Sequence, residues 1–199
     1  MDLRLAKACV ALLAALALAG CAGPEAGAPP ELFAAPAADL DAKPLVISPA
    51  GHDRALVLIF TSVDCPIANR AVPELRALAN ELAPQGVRFV LVYANTDETA
   101  AAIRRHQAEF APWGQVVRDP EGALVARFGV RVTPEAAAVT HDGQLIYQGR
   151  VNDQYAAPGV GRPAPTRHDL ADALREFLKT GEARGRRAPA AGCAVRPAA

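Results

Sequence analysis

Short apolar runs separated by helical patterns organise the middle of the chain. Three of these runs are rich in β-branched or aromatic residues: "LVIS" (45–48), "ALVLIFTS" (55–62) and "VRFVLVYAN" (87–95). Continuous apolar character, rather than alternation, predicts strands that are covered on both faces. Between the last two runs, apolar residues recur at helical spacing from Ile67 to Leu82, which predicts a helix that Gly86 ends.

The second half of the chain continues the alternation with shorter elements. The predicted elements are a helix over 99–110, a strand in "QVVRD" (115–119) and a short helix in "GALVARFG" (122–129). The segment 135–151 alternates around a central Asp-Gly pair, which is a strong hairpin signal. Thr166 is predicted to cap a last helix that Gly181 ends. This order of elements predicts one α/β domain with a mixed central sheet over residues 44–181.

Residues 1–20 have the pattern of an export signal. Two basic residues precede "ACVALLAALALAG", an apolar run too short and too closely followed by small residues to span a membrane. The end of this run, "LAGC" at 18–21, resembles the bacterial lipobox, in which the chain is cut before the cysteine and a lipid is attached to its sulfur. With Ala22 after Cys21, the resemblance implies an anchor in the outer membrane that faces the periplasm. The alternative is an ordinary signal peptide with a chance cysteine.

Flexible segments are predicted on both sides of the domain. Residues 21–43 are rich in Pro, Gly and Ala and have little periodicity, so they are predicted to form a tether. Residues 182–199 are rich in Ala, Pro and Arg and are predicted to form a flexible tail that carries Cys193. The chain has 21 Lys and Arg against 21 Asp and Glu, so no charge excess points to a nucleic-acid partner.

Two cysteines remain once Cys9 leaves with the signal and Cys21 carries lipid. The first, Cys65, lies in "FTSVDCPIAN", where a predicted strand ends and a predicted helix begins. Unpaired N–H groups and the helix dipole at that position favour the thiolate, the reactive form of cysteine. The neighbouring carboxylate of Asp64 opposes the thiolate unless it turns to solvent. The alternative is that Cys65 is a small buried apolar residue.

The second cysteine, Cys193, lies 128 positions after Cys65 (193 − 65) in "AAGCAVR". An exported compartment favours disulfides, and a flexible tail is able to bring a second thiol to the helix corner. Cys193 is therefore a candidate partner of Cys65. A tail cysteine without a partner and a purely structural crosslink are the alternatives.

The order of elements and several motifs resemble the thioredoxin fold, and more closely its redoxin branch, which includes alkyl hydroperoxide reductase-like proteins. The matching features are "FTSVDCP" at the strand-to-helix corner, Pro73 eight residues after Cys65, "VTP" at 132–134 and "DGQLIYQGRV" after it. The resemblance implies a three-layer fold with a mixed central sheet flanked by helices. It also implies that Pro134 forms a cis peptide bond with Thr133 and faces the cysteine.

The chain departs from the thioredoxin pattern at three positions. The second active-site cysteine of thioredoxins is replaced by Ala68, their buried aspartate by Ile59 and their tryptophan by Asp64. Dithiol exchange confined to a CxxC motif is therefore excluded. Leu58 also departs from the peroxiredoxin pattern, which has a proline at that position.

The resemblance implies an oxidoreductase in which Cys65 is the nucleophile and Cys193 resolves the product. Its substrate would be a protein or small-molecule disulfide or a peroxide, and a thiol electron donor would regenerate it. Ser62 stands where peroxiredoxins carry the hydroxyl that orients the peroxide, whereas a cis-proline at Thr133 and Pro134 favours an extended disulfide substrate. The choice between these substrates stays open.

An arginine that supports the thiolate is a further expectation from the resemblance. The candidate is Arg131, beside the predicted cis-proline, with Arg118 and Arg150 as rivals. The long loop over 149–170 supplies other polar residues, which either line an entrance to the site or hold the loop together. These loop residues are Asp153, Gln154, Tyr155, Arg162 and Arg167.

Two other functional classes remain open. Copper-delivery relatives of the fold bind metal through two cysteines and a distant histidine. Cys65 and Cys193 would then recruit one of the histidines His52, His106, His141 or His168. No histidine lies at a ligand spacing from another, so neither a resident metal nor a cofactor is expected. A non-catalytic binding module is the third possibility.

Overall fold

The computed structural model describes residues 36–47, 51–110 and 113–196. The predicted signal, the predicted lipidation site at Cys21 and most of the predicted tether lie outside the described residues. The helices are α1 (Pro66–Leu82), α2 (Ala100–Phe110), α3 (Ala123–Phe128) and α4 (Asp169–Thr180). The strands are β1 (Ala37–Ala38), β2 (Pro44–Leu45), β3 (Ala55–Thr61), β4 (Val87–Tyr93), β5 (Gln115–Arg118), β6 (Val132–Thr133), β7 (Glu135–Thr140), β8 (Leu145–Gly149), β9 (Tyr155–Ala157), β10 (Val160–Gly161), β11 (Arg186–Ala188) and β12 (Cys193–Ala194).

The central sheet is mixed and has the order β11-β8-β7-β3-β4-β5-β1-β2. Strands β3, β4 and β5 run parallel to one another, and β7 joins β3 in the antiparallel direction. The hairpin partner β8 follows β7, as the Asp-Gly turn predicts. The sheet lies between helices, so the predicted α/β class and the mixed sheet are confirmed.

Every residue of β3 is buried, because helices cover both faces of the sheet. One core contains Val57 and Ile59 with apolar residues of α1 and α4. The other contains Leu58 and Phe60 with Leu124 of α3. Successive β3 side chains therefore alternate between two apolar layers, which fixes the register of the strand that leads to Cys65.

Helix α1 begins at Pro66, where the missing N–H is tolerated, and continues through Pro73 to Leu82. Helix α4 begins later than its sequence pattern suggests. The residue before its first turn is His168, and the Thr166 hydroxyl donates a hydrogen bond to Asp153 (2.6 Å). Thr166 is therefore not the cap of α4, because a loop carboxylate binds its side chain. No helix in the described ranges is long and apolar enough to cross a membrane.

The first predicted strand is shorter than expected. Only Leu45 of the run 45–48 lies in a strand, the two-residue β2 at the sheet edge. Ile47 is buried in the second core without strand pairing, and Ser48 lies outside the described residues. Apolar content alone could not distinguish a buried core segment from a central strand.

The tail is paired with the domain, which differs from the predicted flexible segment. We call residues 186–196 the C-terminal strap. Its β11 pairs in parallel with β8, and its β12 pairs antiparallel with β6. Backbone hydrogen bonds, which composition does not reveal, hold a segment whose apolar side chains are mostly small.

A buried polar chain joins α2 to β4 and α1. Gln107 donates to the Tyr93 hydroxyl (2.6 Å), and that hydroxyl shares a hydrogen bond with His106 Nδ1 (2.8 Å). The other ring nitrogen, Nε2, then donates to Asn69 Oδ1 (2.7 Å), and Asn69 lies four residues after Cys65. Burial lowers the pKa of His106, which favours the neutral imidazole. Because Nε2 donates to Asn69, Nδ1 of the neutral ring accepts from the Tyr93 hydroxyl.

Replacing His106 by leucine is expected to cost about 1–3 kcal/mol of unfolding free energy at pH 8, because Tyr93 and Asn69 lose a partner. The folded-state pKa of His106 lies below its unfolded value, so the unfolded chain binds more protons as the pH falls below about 6.5. The stability difference between wild type and His106→Leu should therefore shrink over that range. Urea unfolding of both proteins at several pH values measures this difference. His168, whose pKa is raised, affects both proteins equally and so does not contribute to the difference.

The matched control is His141→Leu, because His141 is exposed in the turn between β7 and β8. This variant should stay within about 0.5 kcal/mol of wild type at each pH. A difference for His106→Leu that is constant from pH 8 to pH 5 would contradict a neutral imidazole in the buried chain.

Candidate functional site

Cys65 caps the first turn of α1 and is fully buried, with 0% of its surface exposed. Its sulfur accepts a hydrogen bond from the N–H of Ala68 (3.4 Å). The thiol donates to the backbone carbonyl of Thr133 (2.9 Å). The amide of the first turn, which the sequence predicted to favour the thiolate, therefore points at the sulfur.

The Thr133–Pro134 peptide bond is cis, as the sequence predicts, and its carbonyl side faces Cys65. Ser62 is buried beside it, and the Ser62 and Thr133 hydroxyls share a hydrogen bond (3.3 Å). Three of the predicted site residues, Ser62, Thr133 and Pro134, therefore lie together beside Cys65. The hydroxyls of Ser62 and Thr133 are polar groups in an otherwise apolar site.

Cys193 is the second thiol at this site. Strand β12 pairs Cys193 opposite Thr133, and the Cys193 side chain packs against the small cluster of Cys65, Ile67 and Ala68. Both thiols are free. Burial and a hydrogen bond with Cys65 raise the pKa of Cys193 to about 12, so Cys193 stays protonated near neutral pH. The structure thus places a second sulfur beside Cys65 from a distant part of the chain.

Gly192 lets the strap approach the cis-proline loop closely. A β-carbon at this position would lie 2.0 Å from the Thr133 carbonyl oxygen and 2.6 Å from its carbon. Only glycine fits at this distance, because both opposing atoms belong to the backbone. On the other side of Cys193, the N–H of Val195 donates to the Arg131 carbonyl (3.0 Å).

Asp64 is exposed and interacts with the strap, as the thiolate expectation requires. Arg196 lies 3.3 Å from the Asp64 carboxylate and 2.9 Å from that of Asp97. The cation partly balances the carboxylate that precedes Cys65. The side chains are half exposed, so this pairing contributes little stability.

Glu98 is a site residue that the sequence reasoning missed. It is only 5% exposed, and its Oε1 accepts hydrogen bonds from the Val63 N–H (2.9 Å) and Asn95 Nδ2 (3.1 Å). The signal was its position: the loop after β4 follows a parallel neighbour of β3, and the carboxyl ends of parallel strands meet at one edge of a sheet. An acidic residue in that loop comes close to the turn that precedes Cys65.

The three arginines named from sequence do not contact the Cys65 sulfur through any hydrogen bond or ion pair in the described residues. Arg131 is exposed and lines a separate depression beside α3, and only its backbone carbonyl reaches the strap. Arg118 donates to the Glu98 carbonyl (3.1 Å), and Arg150 pairs with Asp169 (2.7 Å). The N–H of Ala68, rather than a guanidinium, donates to the sulfur.

The long loop over 149–170 is held together mainly by its own polar residues. Asp153 accepts hydrogen bonds from the backbone N–H groups of Thr166 (2.7 Å) and Arg167 (2.9 Å), and its carboxylate pairs with Arg162. The hydrogen bond from the Thr166 hydroxyl, together with these donors, holds the pKa of Asp153 well below its usual range. Gln154 donates to carbonyls within the same loop.

Tyr155 and Gln154 are the predicted loop residues that reach the site. Tyr155 packs against the Cys65 cluster, and both residues line a cavity of about 20 Å³ together with Pro134 and Ala191. This volume admits roughly one water molecule, so a larger substrate requires the strap or the loop to move.

Two of the histidines considered for a copper site are engaged elsewhere. His106 binds Tyr93 and Asn69, and His168 binds Glu74 (2.8 Å). In the part of the chain that the structure describes, no three His, Cys, Asp or Glu side chains are grouped so that they could hold a metal ion.

The fold and the paired thiols define a thioredoxin-like protein with a single cysteine at the helix corner. The Redoxin family model matches residues 25–160, which include Cys65 and the cis-proline. The chain therefore belongs to the Redoxin family. The match ends before Cys193, so the second thiol lies outside the part that defines the family.

Solved structures with similar folds include proteins from several bacteria. A hypothetical protein of Sinorhizobium meliloti is 22% identical, with 82% of this chain and 91% of that chain covered and a TM-score of 0.70. A secreted disulfide oxidoreductase of Mycobacterium tuberculosis, homologous to DsbE of E. coli, is 20% identical, with 75% and 98% covered and a TM-score of 0.51. Mycobacterial DsbF, in mixed oxidised and reduced forms, is 18% identical, with 76% and 98% covered and a TM-score of 0.53. A search of the curated proteins finds no match.

Proposed function

We propose that this redoxin is a thiol–disulfide oxidoreductase whose redox couple is Cys65 and Cys193. The observation that carries this proposal is the pairing of β12 with β6, which brings the Cys193 thiol to the buried Cys65 beside Pro134. The strap thus supplies the second sulfur that Ala68 cannot. The similar fold of the mycobacterial disulfide oxidoreductase supports the same reaction class.

The order of the two steps follows from the environments of the thiols. The Cys65 thiolate attacks one sulfur of a substrate disulfide, and the other substrate sulfur leaves as a thiol after taking up a proton. Cys193 then gives up its proton and attacks Cys65, which releases the second substrate thiol. The substrate gains two electrons and two protons, and Cys65 and Cys193 become a disulfide. A dithiol donor reverses the change and completes the cycle.

Access to Cys65 requires the strap to move. The sulfur is fully buried, and β12 covers the edge of β6 next to it. The strap is held there by a short ladder of backbone hydrogen bonds and by half-exposed ion pairs, so local opening costs much less than global unfolding. Opening admits substrate, and closing returns Cys193 to resolve the mixed disulfide.

Peroxide is a second candidate substrate, which the buried Ser62 favours. Its hydroxyl and that of Thr133 are hydrogen-bonded beside the nucleophile, where they could orient an O–O bond. Attack would convert Cys65 to a sulfenic acid and release water or an alcohol, and Cys193 would then form the disulfide with loss of water. The same two cysteines serve both reactions.

Export and lipid anchoring complete the proposal. Cys21 would carry the lipid, residues 21–43 would act as the tether, and the domain would face the periplasm from the outer membrane. Disulfides form and persist in an oxidising compartment, so a protein that cycles between a dithiol and a disulfide could function there. The mycobacterial relative described as secreted supports an exported location.

Paired turnover assays on one preparation test the proposal. The protein is given either a scrambled-disulfide protein with a dithiol donor or hydrogen peroxide with the same donor. Disulfide rearrangement or reduction that exceeds peroxide consumption supports the oxidoreductase, and the reverse ranking supports the peroxidase. Inactivity in both assays, combined with tight stoichiometric copper binding by the reduced thiols, would instead favour the copper chaperone.

A further inference from the structure

Glu98 lies between the two chain segments that carry the cysteines. Its Oε1 accepts a hydrogen bond from the N–H of Val63, two residues before Cys65 (2.9 Å). This hydrogen bond fixes the turn between β3 and α1. Because Glu98 is only 5% exposed, little water competes for this hydrogen bond.

The same oxygen also reaches the strap through Asn95. The Asn95 amide donates to Glu98 Oε1 (3.1 Å), and its own oxygen accepts the N–H of Arg196 (2.8 Å), three residues after Cys193. The Glu98 carboxyl is therefore linked to the Cys65 segment through one hydrogen bond and to the Cys193 segment through two in series.

The second carboxyl oxygen of Glu98 does not take part in this arrangement. Among the described residues, Oε2 is buried without a hydrogen-bond partner. Burial raises the pKa of Glu98 above its usual value, although the two donors to Oε1 and the nearby Arg196 oppose the rise. Arg118 binds the Glu98 backbone carbonyl rather than its carboxylate. Within the described segments, the Glu98 side chain is held by the two hydrogen bonds that Oε1 accepts and not by an ion pair.

We propose that Glu98 is a positioning residue that sets the approach of Cys193 to Cys65 by holding Val63 and, through Asn95, Arg196. The inference deepens the proposed dithiol function and rests on it. It assigns the role to the oxygen that accepts both hydrogen bonds. A glutamine keeps that oxygen and an alanine removes it.

The first test measures how fast iodoacetamide modifies Cys65 in the reduced full chain at one fixed pH, with peptide mass spectrometry to separate the two thiols. Glu98→Ala should react about tenfold faster than wild type, the order expected for losing two buried hydrogen bonds. Glu98→Gln should stay within about threefold of wild type. The control is Glu121→Ala, which removes an exposed carboxylate away from the site.

The second test measures the equilibrium between the Cys65–Cys193 disulfide and glutathione. Glu98→Ala should lower the equilibrium constant for closing the disulfide by about tenfold, and Glu98→Gln should restore it. Equal values for wild type and Glu98→Ala in both tests would overturn the proposal. A Glu98→Gln variant as impaired as Glu98→Ala would also overturn it, because the charge would then matter and the acceptor oxygen would not.

Two further outcomes separate this proposal from the proposed function. If wild type forms no Cys65–Cys193 disulfide in any glutathione buffer, the dithiol function fails, and the alkylation rates alone still decide the role of Glu98. If Glu98→Ala does not fold, Asn95→Ala carries the test. It should speed alkylation of Cys193 about tenfold through loss of the Arg196 contact, and an unchanged rate would overturn the proposal.

Discussion

Cys65→Ser should reduce disulfide turnover by about three orders of magnitude or more, as expected for loss of a catalytic nucleophile. A serine hydroxyl at this corner stays protonated and attacks sulfur poorly. The fold should tolerate the change, because oxygen can accept the Ala68 N–H and donate to the Thr133 carbonyl as sulfur does. Steady-state turnover of a disulfide substrate, together with thermal unfolding of each variant, measures the effect.

Cys193→Ser is the matched control for the nucleophile. This variant keeps Cys65 and should carry out the first step, so a mixed disulfide between Cys65 and one substrate sulfur should accumulate and be visible as a mass increase. If Cys65→Ser instead turns over as fast as wild type, Cys65 is not the nucleophile. If Cys193→Ser turns over at the wild-type rate without accumulating the mixed disulfide, Cys193 does not resolve it.

Gly192→Ala should displace the strap without removing either thiol. The new methyl group would lie 2.0 Å from the Thr133 carbonyl oxygen, and neither backbone can yield without breaking the β12–β6 pairing. Overpacking of this kind costs about 1–3 kcal/mol, so Cys65 should become about 10–100 times more reactive toward an alkylating reagent in the reduced protein. Resolution by Cys193 should slow by a similar factor.

Gly51→Ala is the control for a glycine substitution without a collision. A β-carbon on Gly51 meets no atom within 4 Å, so this variant should alkylate and turn over as wild type does. Cys65 reactivity that is the same in Gly192→Ala, Gly51→Ala and wild type would show that the strap does not control access to the thiol.

The sequence was informative where a strong local pattern agreed with the final packing. The buried run of β3, the helical spacing of α1 and the Asp-Gly hairpin each appear as predicted, because strand burial and turn chemistry are local properties. The cis bond before Pro134 was also predicted, although through family resemblance.

The sequence could suggest Cys193 as a partner of Cys65, but it could not predict how the chain brings the two together. The segment around Cys193 is rich in Ala, Pro and Arg, so its composition predicted a flexible tail. What holds it is a backbone ladder to β6 and the absence of a side chain at Gly192, two properties that appear only when the partner strand is known. Pairing between segments distant in sequence carries no local signal.

Glu98 and Thr166 show the same limit for polar residues. Thr166 fits the local pattern of a helix cap, yet the carboxylate of Asp153 binds its hydroxyl. Glu98 has no motif around it, and its importance depends on Val63 and Asn95 being near. The partner of a polar side chain is a tertiary property, so spacing along the chain predicts its chemistry but not its contacts.

The most direct measurement for the central claim is mass spectrometry of the oxidised protein after digestion without reductant. We expect a single crosslinked species that joins the peptide containing Cys65 to the peptide containing Cys193, and its disappearance after treatment with a dithiol. Two separate peptides, each with its cysteine free or bound to glutathione under oxidising conditions that saturate the thiols, would contradict the claim that these two sulfurs form the redox couple.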